Sequence, residues 1–170
     1  MSDFAHKQFD GNLYTFNHLT KKTLAVHIDI NADKVVVPVH ITFGCHCFTE
    51  EFDPKQHSDH HRYSHMHEVR AFDVERYQCS LQLPHVMESM LTGKIYRSDK
   101  SYTYVTQIAL LSAAGGQSYS IFFSLEKAKK QVDPAVELYV KSAYLSTLKH
   151  SANAQNWRFK ALVGKTAGLF

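Results

Sequence analysis

The sequence predicts an α+β fold: an N-terminal β-hairpin, short central helices and a C-terminal antiparallel sheet of four to five strands. Three observations carry that expectation. Two runs of alternating apolar and polar residues, 24–30 and 35–43, flank the turn-forming Asn31, Ala32 and Asp33, which is the pattern of a hairpin with one buried face. Residues 73–93 place a capping acid, a proline and a closing glycine around two short helical stretches. From Lys94 onward, β-rich runs are punctuated by SDKS at 98–101 and AGGQ at 114–117, as in a meander.

Taken in order, residues 1–23 mix polar and aromatic side chains without a clear period and read as a short strand and turn. In LAVHIDI, Leu24, Val26, Ile28 and Ile30 share one side, with His27 and Asp29 on the other. The run VVVPVHITFGCHC at 35–47 has the most β-forming composition in the chain. Val35, Val37, Val39, Ile41 and Phe43 alternate there with Val36, Pro38, His40 and Thr42. Gly44 then lets the chain turn, and Cys45, His46 and Cys47 follow at once. Residues 50–64 are polar, contain Pro54 and read as an exposed loop. An extended 65–72 would put His65 and His67 on one face.

Asp73 caps the helical VERYQCSLQ, with Glu75 in the first turn, where the helix dipole favours an acid. Pro84 breaks that pattern, and HVMESML supplies a second short helix closed by Gly93. Strands are then expected at 95–97, 102–111, 119–125, 136–145 and 157–163. In 136–145, Val136, Leu138, Val140, Ser142 and Tyr144 lie opposite Glu137, Tyr139, Lys141 and Ala143. Residues 1–170 read as a single domain, strand-rich with a histidine-rich loop over 1–72 and helix plus sheet over 73–170.

Composition narrows the class. With 170 residues, 44% apolar and 21% charged, the chain has the balance of a globular protein able to bury an ordinary core. No apolar run approaches the roughly 20 residues of a membrane helix, and MSDFAHKQFD lacks the regions of a signal peptide. A cytoplasmic protein without a membrane partner is therefore expected. Three cysteines, an odd number in such a chain, argue against a disulfide framework and leave free thiols or metal ligands. A formal charge of +3 with twelve histidines permits an anionic partner without demanding one.

Two kinds of site suit these residues best, ahead of a third in which Cys45 or Cys47 is a thiol nucleophile activated by His46 or His40. One is a zinc centre on Cys45, Cys47 and His65 with neighbouring histidines, because zinc takes thiolate and imidazole ligands. The same cysteines also read as small core residues. The other needs no cofactor and cleaves a phosphodiester, using a base for the 2′-hydroxyl, an acid for the leaving oxygen and a cation for the phosphate. His46 or His67 suits the base or acid, and Arg97, Ser98 or Lys100 the phosphate contact. Lys141 with Ser142 suits the leaving group, with Tyr144 on the same strand. RNA is the partner this chemistry implies.

Four stretches, FGCHCF at 43–48, RAFDVERYQCSLQLP at 70–84, YSIFFSLEKA at 119–128 and LYVKSAY at 138–144, together resemble a bacterial family of small proteins, some with stress-related or stationary-phase names. The resemblance covers roughly residues 24–165. A helix followed by an antiparallel sheet whose late strand reads VKSAY also resembles the barnase, EndoU, colicin and RelE group of metal-independent ribonucleases. Such domains often act as toxins in bacteria and phages. That likeness implies active residues at Lys141, Ser142 and Tyr144, a histidine base from the preceding half, and an antitoxin or host protein as partner. A binding protein stabilised by zinc, or an inhibitor of a host system, is the alternative the residues leave open.

Overall fold

A computed structural model describes residues 2–98, 104–110, 115–129 and 133–170. Strands β1 (Lys7–Phe9) and β2 (Asn12–Tyr14) form a small hairpin whose turn, Asp10 and Gly11, has positive φ at both residues, the geometry that matches strand twist. Strands β3 (Lys22–Ile30) and β4 (Asp33–His46) pair antiparallel around Asn31 and Ala32. The expected alternation is present in β4, where Val37, Val39, Ile41 and Phe43 are buried and Pro38, His40 and Thr42 only partly so. Asp33 joins the strand, which shortens the turn to two residues.

The stretch expected to be a polar loop is more ordered than its composition suggests. It forms β5 (Thr49–Glu51), a 3₁₀ turn at Asp59–His61 and β6 (Arg62–His65), and β7 (Glu68–Phe72) returns beside β6. His65 and His67 therefore do not share a strand face. The chain reverses at Met66 and His67, with Met66 at φ +52°, and His65 pairs with Glu68. Helices α1 (Val74–Ser80) and α2 (Leu83–Ser89) follow, the first capped by Asp73, whose Oδ1 accepts from the Arg76 amide at 2.6 Å. Pro84 sits in the first turn of α2, where its missing N–H costs nothing.

The remaining strands are β8 (Lys94–Arg97), β9 (Tyr104–Ile108), β10 (Ser118–Lys127), β11 (Val136–Ser146) and β12 (Asn156–Arg158). The last expected strand, 157–163, is mostly helix: α3 (Phe159–Ala167) starts directly after β12. Phe159, Leu162, Val163 and Ala167 are its buried apolar residues, a 3.6-residue spacing that fits a helix and no strand. Gly168 closes it in the left-handed conformation at φ +80°.

Among the described residues, β12-β8-β9-β10-β11-β4-β3 form one sheet, β5-β7-β6 a second and β1-β2 a third. Every neighbouring pair is antiparallel except β4 with β11. That parallel seam joins the two halves of the chain into one sheet. A register shift between Val140 and Ser142 corrects the expected faces of β11. The bulge sends Ala143 into the core and leaves Ser142 and Tyr144 only half-buried. Helix α3 packs on β3, β4 and β10, and α1 on β11. Phe16 and Phe48, 4.0 Å apart and stacked, centre an aromatic cluster with Phe4, Tyr63 and Phe72. Among the described residues no helix is long and apolar enough to cross a membrane.

Candidate functional site

The seam ends in a cleft. Just past Phe43, Gly44 allows a close approach: a Cβ there would fall 2.5 Å from Tyr139 Oη and 3.0 Å from the Lys141 carbonyl oxygen. With no side chain in the way, Tyr139 lies across β4 and the turn at 45–47 tucks against β11. That turn is firmly held. The Cys47 amide donates to the Gly44 carbonyl at 3.2 Å, and Thr49 Oγ1 donates to the Cys45 carbonyl at 2.8 Å. Arg70 Nε in turn donates to Thr49 Oγ1, and Arg76 to the Thr49 carbonyl, both at 2.9 Å.

The cleft holds about 860 Å³, within the range of small-molecule sites. Its lining includes Cys45 and His46 from β4, Tyr139 and Lys141 from β11, and the segment 65–68 from the β6–β7 hairpin. Lys21 and the N-terminal Ser2, Asp3 and Phe4 close its other side. At its centre, His46 Nε2 lies 2.7 Å from Glu68 Oε2, and Cys45 Sγ lies 3.9 Å from the same oxygen. With Nε2–H donating to the carboxylate, the neutral imidazole carries its lone pair on Nδ1, and that atom takes up a proton.

The electrostatics separate the groups. The hydrogen bond from His46 holds the Glu68 carboxyl below its ordinary range, so Glu68 is an anion near neutral pH. Burial pushes the Cys45 thiol up, helped by the charge of Glu68 and opposed by that of Arg70. A thiol kept protonated is a poor nucleophile. Burial also raises the Tyr139 hydroxyl, so it remains a proton donor.

Of the residues read from sequence, His46, His67, Lys141, Cys45 and His65 come together around this cleft, with the His65 ring packed 4.8 Å from that of Phe4. Others lie elsewhere. Cys47 is fully buried, its Sγ 4.0 Å from the Val140 carbonyl oxygen. Ser142 pairs with His46 across the seam yet does not line the cleft. Tyr144 lines a separate cavity of about 130 Å³, with the Arg76 guanidinium 4.6 Å from its ring centroid. Arg97 ends β8, three strands from β11, or about 14 Å at the usual strand spacing. Ser98 follows it, and Lys100 lies outside the described residues. Glu68 and Lys21 are site residues that the sequence reading missed, whereas Tyr139 was legible as a strand aromatic able to stack a base. The outward register of Tyr139 beside Lys141 was the available signal.

Fold and cleft define a mixed α+β protein in which a carboxylate-oriented histidine meets cations at the end of a parallel strand pair. The chain belongs to the YjaZ family, whose model matches residues 6–167. No curated protein and no solved structure matches it.

Proposed function

We propose that the cleft binds RNA and cleaves its phosphodiester bonds by acid–base catalysis without a metal. One observation carries this reading: the parallel seam brings His46, oriented by Glu68 at 2.7 Å, into the same cleft as Lys141. In the proposed reaction, His46 Nδ1 removes the 2′-hydroxyl proton, and the resulting oxygen attacks the adjacent phosphorus. The P–O5′ bond breaks, leaving a 2′,3′-cyclic phosphate. His67 or the Tyr139 hydroxyl returns a proton to the leaving oxygen. Lys141 and Lys21 balance the charge that builds on the non-bridging oxygens. Tyr139, 43% exposed at the cleft, offers a ring on which an unpaired base can stack. Arg97, Ser98 and Tyr144, outside the cleft, have no part in this version of the mechanism.

The test is incubation of the purified chain with single-stranded RNA in EDTA, with the product ends analysed. Cleavage leaving cyclic phosphate is expected, slowed about 10²- to 10⁴-fold by His46→Ala and strongly by Lys141→Ala. Intact RNA at equimolar protein, or undiminished cleavage by His46→Ala, overturns the proposal.

A further inference from the structure

We infer that Cys45, His46 and Glu68 form a Zn²⁺ site with one coordination position open to the cleft. Thiol, imidazole and carboxylate converge from two separate elements, with ligand atoms all within 4.8 Å of one another. This is the donor set of a borderline transition ion, whereas calcium and magnesium take oxygen alone. Tetrahedral zinc, at about 2.3 Å from sulfur and about 2.0–2.2 Å from nitrogen and oxygen, needs its ligands roughly 3.3–3.6 Å apart. Seating the ion therefore means opening the His46–Glu68 contact from 2.7 Å and drawing Glu68 in from 3.9 Å toward Cys45. The side chains that must move are able to do so, since His46 and Glu68 are 34% and 54% exposed. Cys45 is the fixed ligand, buried and with its carbonyl held by Thr49.

Metal entry releases the thiol proton to solvent, shifts the His46 ring proton from Nε2 to Nδ1, and replaces the His46–Glu68 hydrogen bond with two metal–ligand bonds. All three donors line the cleft, so the fourth position faces it, as in zinc sites that keep a place for water or substrate. The set differs from the one expected from sequence. Cys47 is sealed behind the turn, and the converging group contains Glu68 rather than His65. Zinc binding stands apart from the cleavage reading. Only its corollary rests on that reading: an ion ligated by His46 and Glu68 takes away the proposed base, so zinc inhibits cleavage.

The test is titration of the metal-free chain with Co²⁺, a spectroscopic stand-in for zinc. Expected are one equivalent bound, tetrahedral visible bands and a sulfur-to-cobalt charge-transfer band that zinc abolishes by displacement. Cys45→Ser should remove the charge-transfer band while Cys79→Ser keeps it. His46→Ala and Glu68→Gln, at partly exposed positions, should each weaken binding at least about tenfold with the circular dichroism unchanged. Cobalt bound without the sulfur band assigns binding to surface histidines, and the band surviving in Cys45→Ser assigns it to another cysteine; either result overturns the site. RNA assays with and without zinc separate the two ideas. A sulfur–cobalt band on a chain that never cleaves RNA sinks the ribonuclease reading and leaves the metal site standing, whereas metal-free cleavage with no band does the reverse.

Discussion

Cys45 and Cys47 flank His46 in one turn, and each thiol has a tyrosine hydroxyl in its electrostatic neighbourhood, Tyr139 for the first and Tyr119 for the second. Their surroundings are otherwise opposite. Around Cys45 stand Glu68, Arg70 and a cleft that admits solvent. Cys47 and Tyr119 are fully buried, and Tyr119 Oη has no hydrogen-bond partner among the described residues. Burial pushes the Cys47 thiol up to about 12 and drives the Tyr119 hydroxyl higher than its ordinary value. Both thiols are buried and held protonated, but only Cys45 borders a cleft and stands beside an ionised partner. What sets them apart is an ionised partner within reach and access to water, rather than the residue type.

That contrast can be broken most forcefully at alkaline pH. The Cys47 thiol is held protonated in the native state, while the unfolded chain ionises it near 9. Its contribution to stability is complete below pH 9 and is lost as pH climbs toward 12. Urea unfolding of the wild type is expected to lose about 2–3 kcal/mol from this group by pH 11, a loss that Cys47→Ala should lack. Parallel pH profiles for the two proteins would show that Cys47 is not sealed.

A smaller effect of opposite sign is expected at the equally buried Tyr119. Tyr119→Phe removes a buried hydroxyl with no partner and should stabilise the protein by about 1 kcal/mol. Tyr139→Phe, at the half-open cleft, should stay within about 0.5 kcal/mol of wild type. Thermal or urea midpoints compare the pair, and a destabilised Tyr119→Phe would reveal a partner for that hydroxyl.

The smallest effect belongs to the cleft. The Glu68 carboxyl is depressed below its ordinary 4.5 by His46, so its stabilisation is present above that value and fades as pH falls through the depressed one. Exposure and salt limit it to less than about 0.5 kcal/mol. In EDTA, Glu68→Gln should trail the wild type slightly at pH 7 and match it near pH 2. A deficit that persists in acid would place the role of Glu68 in packing rather than charge.

Alternation made β3, β4 and the first half of β11 legible, because burial follows the same two-residue period as the text, through Val37, Val39, Ile41, Leu138 and Val140. Asp73 announced α1 by its capping chemistry. The β6–β7 hairpin stayed hidden, since the position of positive φ in its turn is taken by Met66 rather than by Gly, Asn or Asp. Helix α3 was masked by the aromatic, β-rich start of Trp157–Phe159, although Phe159, Leu162, Val163 and Ala167 carried its period. Half of the site was readable as residue types, in Cys45, His46, His65, His67 and Lys141. The rest depended on which strands meet, and no local pattern announces a parallel partner or the place of Glu68 opposite His65.

The parallel seam also sets when the cleft comes into being. Cys47 and Val140, which touch across it, are separated by 93 residues in the chain, so the loop entropy of joining them must be met before their contacts repay it. On a ribosome, β3 and β4 can emerge and zip up early, but the wall bearing Tyr139 and Lys141 arrives only when β11 has emerged. A nascent or C-terminally truncated chain therefore carries His46, Glu68 and Lys21 without Tyr139 and Lys141. Chemistry that needs Tyr139 or Lys141 is withheld until β11 has been made.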